Sequence, residues 1–287
     1  MPLAYHTCLR RQDGGVLARN RRELVPLLRS VLTQGWRGLD TRRDPPLVVF
    51  GFGDHHVHLM LDCDELEAIE LCRRLAISFS RSLSKPRDTS SPAVVRSFLK
   101  PINSGRHLYS TFRYVLLQPE RHGADVDPSC EATALPDLLD LRPLGRYLQA
   151  PVRQLLPRVD TAALLRLVGV SALGPEIGEP NADDVMASVL AATALSDLHG
   201  RQPEVRRARR IALHLLSGRL PLTRIAGHLG VGRTTLHELR RIPIDDDLLR
   251  AVVGQLGLRR RFGERRATVE GRAPRKQGAA IDAPLLG

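Results

Sequence analysis

The sequence predicts an α+β fold, an antiparallel sheet built early in the chain and an all-α region after it. Two observations carry this. Alternating apolar runs and helical periodicities interleave through residues 1–130, whereas Leu-, Ala- and Arg-rich sequence with helical patterning fills the rest. Leu3 to Leu9 reads as a strand, and Leu24, Leu27, Leu28, Val31 and Leu32 mark a helix with Pro26 in an early turn. Pro46 to Phe52 and His55 to Asp62 read as a strand pair joined at Gly53-Asp54. Asp64 with Glu67 forms the pattern of a capping box, opening a helix through Ile69, Cys72, Leu75, Phe79 and Leu83. Lys85 to Pro92 is a polar loop and Val94 to Leu99 another strand. A helix from Ser104 to Gln118 closes the unit, giving the order βαββαβα, which is compatible with a ferredoxin-like sheet.

The most informative stretch is Gly53-Asp54-His55-His56-Val57-His58-Leu59. Residues two apart on a strand share a face, so His56 and His58 project together while Val57, Leu59 and Leu61 project toward a core. Neither imidazole is expected in that core. Two imidazoles one step apart offer a two-point grip on a divalent metal. A satisfied surface pair is the plainer account of the same spacing.

The second informative stretch is the helix from Ser104 to Gln118. Ser104 suits the N-cap, Leu108, Phe112 and Val115 recur at helical spacing, and Pro119 discourages helix at the residue before it. Tyr114 and Gln118 lie four apart and share a face, with His107, Ser110 and Arg121 near the same stripe. A tyrosine on a polar stripe, with a carbonyl-oxygen ligand one turn on, suits attack on a metal-bound phosphate. A half-buried tyrosine with a satisfied hydroxyl is the plainer alternative.

Three motifs now stand in order: Tyr5-His6-Thr7, the Gly53 to Leu59 strand, and Arg113-Tyr114-Val115-Leu116-Leu117-Gln118-Pro119-Glu120-Arg121-His122-Gly123. Together they resemble the HUH-superfamily single-tyrosine transposases, above all the REP-associated tyrosine transposases with an insertion-sequence-200-like domain. The resemblance covers residues 1–130. It implies a ferredoxin-like HUH domain in which His56, His58 and Gln118 bind Mg²⁺ or Mn²⁺ and Tyr114 is the catalytic nucleophile. It also implies single-stranded, hairpin-forming DNA as substrate and a homodimeric assembly. REP-associated members usually carry Asn-Pro where this chain has Gln118-Pro119, and Met-Pro-Asn where it has Gly53-Asp54-His55; the related single-tyrosine class uses Gln at the former place.

The chemistry accounts for the residue types. A phenol ordinarily ionises near pH 10, so it is a poor nucleophile unless nearby charge favours its ionised form. A cation held by two histidines and an amide would stabilise charge developing on a phosphate. Attack by Tyr114 would give a 5′-phosphotyrosine and a free 3′-hydroxyl. The bond energy is kept for rejoining, so the activity expected is DNA strand transfer, that is, transposition and recombination rather than hydrolysis.

Composition agrees. Lys and Arg number 43 against 31 Asp and Glu, a formal charge of +12 that suits a polyanionic partner. Only Lys85, Lys100 and Lys276 are lysine, and so strong a bias to arginine reads as genome base composition. Cys8, Cys63, Cys72 and Cys130 form no C-x-x-C pair, which argues against a zinc or disulfide framework. With no signal peptide and no apolar run long enough to span a bilayer, a cytoplasmic protein without a membrane partner is expected.

Residues 131–200 read as a helical connecting region, with helices over Leu135 to Leu156, Thr161 to Val168 and Ala182 to Leu198 and a Pro/Gly-rich break from Gly174 to Pro180. Residues 201–262 read as a DNA-binding region. There Ile211, Leu215 and Leu216 mark one helix, and Leu222 to Leu239 follows as helix, tight turn, helix. Ala226 is small where two helices would cross, Gly230 suits the turn, and Val231, Leu236 and Leu239 would bury the second helix. This resembles the helix-turn-helix of many DNA-binding proteins, and it places Arg233, Thr234, Thr235 and His237 in a duplex groove. A plain helical hairpin is the alternative. The end of the chain, residues 263–287, reads as a basic, disordered tail.

Three other classes compete. A histidine-triad hydrolase needs a third histidine where Met60 stands, and a metal-dependent amidohydrolase needs a parallel barrel and more chain. A non-catalytic DNA-binding regulator derived from a transposase has no need of His56, His58, Tyr114 and Gln118 together.

Overall fold

The computed structural model describes residues 2–37, 44–84, 93–121, 127, 129–170 and 181–270. Helical side chains are described up to residue 119 in the first region and 263 in the last. The expected loop over Lys85 to Pro92, the break over Gly174 to Pro180 and residues 271–287 of the expected tail lie outside the described residues.

The chain is α+β, with an antiparallel sheet in its first part. Strands β1 (Ala4–Arg11), β2 (Leu47–Phe52), β3 (His56–Leu61) and β4 (Val94–Ile102) form one four-stranded sheet. Its order is β2-β3-β1-β4 and every pairing is antiparallel. Helix α1 (Arg21–Arg37) joins β1 to β2, and α2 (Glu65–Ser84) joins β3 to β4. The capping box forms as the sequence predicts: Glu67 N–H donates to Asp64 Oδ1 at 2.8 Å and Asp64 N–H reaches Glu67 Oε2 at 3.4 Å. Pro26 sits in the second turn of α1, inside the helix.

Helices α1 and α2 cover one face of the sheet. Thr7 Oγ1 lies 3.5 Å from Cys72 Sγ of α2, and Phe52 stacks on Phe79 with ring centroids 6.2 Å apart. Helix α3 (Gly105–Leu116) packs on β2 and β3 from the other face. All of β2 and all of β3 beyond His56 are therefore buried. That explains why Leu47 to Phe52 is continuously apolar instead of alternating.

The segment after residue 129 finishes this core. Phe52 N–H donates to Ala132 O at 2.7 Å and Ala134 N–H to Phe50 O at 3.0 Å, so the free edge of β2 is capped by chain running beside it. The single helix expected over Leu135 to Leu156 is instead α5 (Leu135–Leu138), a 3₁₀ segment (Pro143–Leu148) and α6 (Gln149–Leu155), after short α4 (Gln118–Arg121). Asp140 in the left-handed region (φ 61°) ends α5, and Pro143 has no N–H to continue it. Within this turn Arg142 and Asp137, both 0% exposed, form a bidentate pair, and Arg142 also donates to the carbonyls of Glu131 and Thr133 at 3.1 and 2.9 Å. With α7 (Thr161–Leu167), residues 135–170 share one core with the sheet.

A second core joins α8 (Ala182–Thr193), α9 (Pro203–Leu216), α10 (Leu222–Leu229), α11 (Arg233–Arg240) and α12 (Asp246–Glu270). The stretch 131–200, expected as a connector, is thus divided between two cores. Helix α8 stops at Thr193 rather than Leu198, because Ala194 turns left-handed (φ 48°) and the carbonyls of Ala194 and Leu195 accept from Arg29 (3.3 Å) and Arg21 (2.7 Å) of α1. Residues 263–270, expected in the tail, continue α12 as helix. Among the described residues no helix is long and apolar enough to cross a membrane.

Two outcomes follow from the packing. Replacing Asp137 by Ala leaves a buried guanidinium without its carboxylate, and denaturant unfolding should report a loss of about 3–5 kcal/mol. A fragment ending at residue 130 strips the cover from the β2 edge, so limited proteolysis should degrade it faster than a fragment ending at residue 170.

Candidate functional site

Alternation along β3 decides which side chains meet. Val57, Leu59 and Leu61 join the face covered by α1 and α2, and His56, His58 and Met60 occupy the other. Across the β1–β3 ladder, His6 stands opposite Met60, Cys8 opposite His58 and Arg10 opposite His56. His6 therefore shares the face of the histidine pair. His6 lies in the motif Tyr5-His6-Thr7, to which the sequence alone assigns no role for its imidazole. The register between β1 and β3, which no local pattern prints, is what brings it in.

Helix α3 forms the roof. Ser104 Oγ caps it by accepting from His107 N–H at 3.2 Å, and Leu108, Thr111, Phe112 and Val115 make its buried stripe. The helix ends at Leu117, whose N–H returns to Arg113 O at 3.0 Å. Gln118 then begins the separate helix α4. Helix was expected to run to near Gln118; it stops at Leu116 because Pro119 restricts Gln118 and supplies no N–H of its own. Gly51 of β2, opposite His58, is where the roof comes lowest. A Cβ there would overlap the Val115 carbonyl oxygen and lie 3.2 Å from Gln118 Cγ.

The result is a chain of polar contacts under the roof. His6 Nε2 lies 3.0 Å from His58 Nδ1, and Tyr114 Oη lies 3.2 Å from His58 Nε2. The His56 ring stands edge-on to His58, centroids 4.6 Å apart. His6 packs edge-on against Phe98 and Tyr114 at 5.0 and 5.6 Å. Gln118, only 1% exposed, turns its Nε2 back to Tyr114 O at 3.1 Å. The surroundings shift the ionisable groups. Burial above all, then the positive fields of His107 and Lys100, lowers the His6 pKa to about 4, so its imidazole is neutral at neutral pH. Burial raises the Cys8 thiol to about 11 and keeps it protonated.

His56, His58 and Tyr114 are neighbours in this chain of contacts, and the Gln118 side chain touches it through the Tyr114 backbone carbonyl. One expectation is corrected: His56 is half-buried, but His58 is 4% exposed and belongs to the core, because α3 covers its face. The other tyrosines are elsewhere. Tyr5 is buried on the opposite face, Tyr109 is 42% exposed, and half-buried Tyr147 donates to Leu32 O at 2.8 Å.

The donors named for a metal are two imidazoles and a carboxamide. In type they fit a divalent ion that accepts nitrogen and oxygen together, Mn²⁺ more readily than Mg²⁺. Among the described residues no group of three or more His, Cys, Asp or Glu side chains is arranged to hold a metal ion. A site here would therefore need the Gln118 oxygen.

At the other end of the chain, α10 and α11 are joined through Gly230, whose φ of 61° is the left-handed turn that a glycine takes without strain. Leu236 and Leu239 are buried against the second core. Arg233, Thr234 and His237 are exposed and Thr235 is half-buried, all in the first turns of α11.

Gly51→Ala should overpack the contact with α3 and cost about 1–3 kcal/mol in denaturant unfolding. The same substitution should broaden the NMR signals of the Tyr114 and His58 rings, since the roof has to lift.

Compared with family models, curated proteins and solved structures, the chain gives no match.

Proposed function

We propose that the protein is a metal-dependent transposase, a DNA strand-transferase that nicks and rejoins single-stranded DNA through Tyr114. The observation that carries this is the Tyr114 hydroxyl 3.2 Å from His58 Nε2, with His56 on the same strand face and Gln118 one turn on. The strand order β2-β3-β1-β4, with α1 and α2 as crossovers on one face, supports a ferredoxin-like HUH domain. The formal charge of +12 supports a nucleic-acid substrate.

In this reading the Tyr114 oxygen attacks a phosphorus of the DNA backbone. A bond from phosphorus to Tyr114 forms, the bond to the 3′-oxygen breaks, and the leaving oxygen takes up a proton as a free 3′-hydroxyl. With its hydrogen on Nδ1, His58 would accept the tyrosine's proton at Nε2; with an ion held at Nε2, that proton would leave to solvent. His56, His58 and the Gln118 carbonyl would hold Mg²⁺ or Mn²⁺. When bound, such an ion supplies positive charge to the non-bridging phosphate oxygens. Nε2 of His58 has one lone pair and serves one partner at a time, so the Tyr114–His58 bond is a resting position of the nucleophile. Hairpin-forming substrate and a homodimer belong to the same proposal and rest on the resemblance.

For the C-terminal core we propose a helix-turn-helix that binds duplex DNA through Arg233, Thr234, Thr235 and His237. The exposure of Arg233, Thr234 and His237 on α11 supports it, because recognition helices read base edges with their N-terminal residues. A non-catalytic DNA-binding regulator is the second reading. It is favoured by the same network, since both ring nitrogens of His58 are satisfied internally.

Incubation with labelled single-stranded hairpin DNA and Mn²⁺ separates the two. Wild type should form a covalent adduct that peptide mapping places on Tyr114, and Tyr114→Phe should bind DNA and form none. An adduct on Tyr109 overturns Tyr114 as the nucleophile, and none with wild type removes the strand-transferase reading. His56→Ala should abolish cleavage with little loss of stability, whereas His58→Ala should also destabilise the fold by about 1–3 kcal/mol, because it strands polar groups in the core. Gln118→Ala should slow cleavage less completely. Arg233→Ala should weaken duplex binding and reduce the slope of log K against log salt by about 1.

A further inference from the structure

We propose that His6 is a positioning residue: it accepts the Nδ1 hydrogen of His58 and thereby directs the Nε2 lone pair at the Tyr114 hydroxyl and at any divalent cation bound there. The inference deepens the strand-transferase reading and rests on it for the cation, though not for the tautomer.

The argument is one of counting hydrogens. His6 Nε2 and His58 Nδ1 are 3.0 Å apart, a hydrogen-bond distance that needs one hydrogen between two ring nitrogens. If His6 donates, the single hydrogen of a neutral His58 lies on Nε2. That atom then points an N–H at Tyr114, cannot take the phenol's hydrogen and has no lone pair to offer a cation. If His58 donates from Nδ1, Nε2 is an acceptor 3.2 Å from the Tyr114 oxygen. Only the second arrangement serves the chemistry. It is also the usual one for metal-ligating histidines, whose far ring nitrogen donates to a fixed acceptor that sets ring orientation and tautomer.

The acceptor here is itself fixed. His6 stands on the central strand β1, between the ladders to Met60 of β3 and Lys100 of β4. Its ring is wedged edge-on between Phe98 and Tyr114. The same wedge makes His6 a contact of the candidate nucleophile as well as of the candidate ligand, so one side chain sets the relation between the two.

Two measurements on the full-length protein test this. Nitrogen NMR of histidine-labelled, metal-free protein at neutral pH should show His58 as the Nδ1–H tautomer. His6→Phe, which keeps the ring and removes the acceptor, should convert part or all of the population to Nε2–H. Mn²⁺ binding followed by electron paramagnetic resonance should weaken about 10–100-fold in His6→Phe. His6→Gln can place an amide oxygen near the position of Nε2, so it should restore most of the affinity; circular dichroism checks that each variant folds. A wild-type His58 in the Nε2–H form, or equal Mn²⁺ affinity in wild type and folded His6→Phe, overturns the proposal. Should His6→Phe not fold, the wild-type tautomer and His6→Gln decide alone. Wild type that shows the Nδ1–H tautomer and binds no Mn²⁺ leaves His6 as the residue that orients the acceptor of Tyr114, and it is the metal reading above that fails.

Discussion

Helix α3 meets strand β2 with no side chain between them at Gly51, and the geometry of the candidate site depends on that contact. The Val115 carbonyl occupies the space a Cβ would fill, and Gln118 tucks in beside it. Leu108, Phe112 and Val115 bury their side chains along the rest of the helix, each contributing about 1.5–3 kcal/mol, enough to press the roof down wherever the floor permits. At Gly51 the floor permits it. With α3 held so low, Tyr114 reaches His58 across a hydrogen-bond distance, and His58 passes into the core. The helix leaves its path at Leu117, just ahead of Pro119, which has no N–H to continue it.

Leu258 of α12 and Ala194 are buried in the core shared with the sheet, and polar contacts add to this docking of the C-terminal helices. Arg21 and Arg29 of α1 donate to the carbonyls just past α8, groups left without partners by the end of that helix. Arg146 bridges Asp140 and Asp247 at 2.5 and 3.1 Å, and Gln255 donates to Leu141 O at 3.3 Å. Guanidinium groups near a helix C-terminus are favoured by its dipole, and each bond fixes direction as well as distance. Arg21 also pairs with Glu131, in the segment that runs beside β2. One side chain therefore ties α1, the cover of β2 and the end of α8 together, and the exposed face of α11 is carried by the core docked this way.

Local signals made most of the first part legible. The capping box at Asp64, the N-cap at Ser104 and the apolar alternation of β3 are written in neighbouring residues, and each forms. What stayed hidden depends on partners far along the chain. The burial of His58 follows from α3 lying over it, and nothing in His56-Val57-His58 records that. His6 joins the site through strand register. The break-up of Leu135 to Leu156 comes from Asp140 taking a left-handed turn and from the Arg142–Asp137 pair, whose contacts reach back to Glu131 and Thr133. The early end of α8 is set by arginines from α1, more than a hundred residues earlier in the sequence. Helical periodicity is blind to such contacts, because it reports the face of a segment and not what meets it.

The polar network itself bears on the choice between a catalytic and a purely architectural site. A buried polar group left without a partner costs about 1–3 kcal/mol, so His58 with two satisfied ring nitrogens is close to neutral for stability. An apolar side chain of the same volume would satisfy the core equally well and would need neither His6 nor Tyr114 to be exact in its placing. The network therefore gives the fold little that leucine or phenylalanine could not, while imposing orientation on four side chains. At its outer end the network leads to His56, which is half-buried and flanked by the exposed turn residues Asp54 and His55, so the polar chain runs from the core to the protein surface. The half-burial of His6, His56 and Tyr114 leaves this polar chain partly open to solvent, whereas His58 is closed off from it.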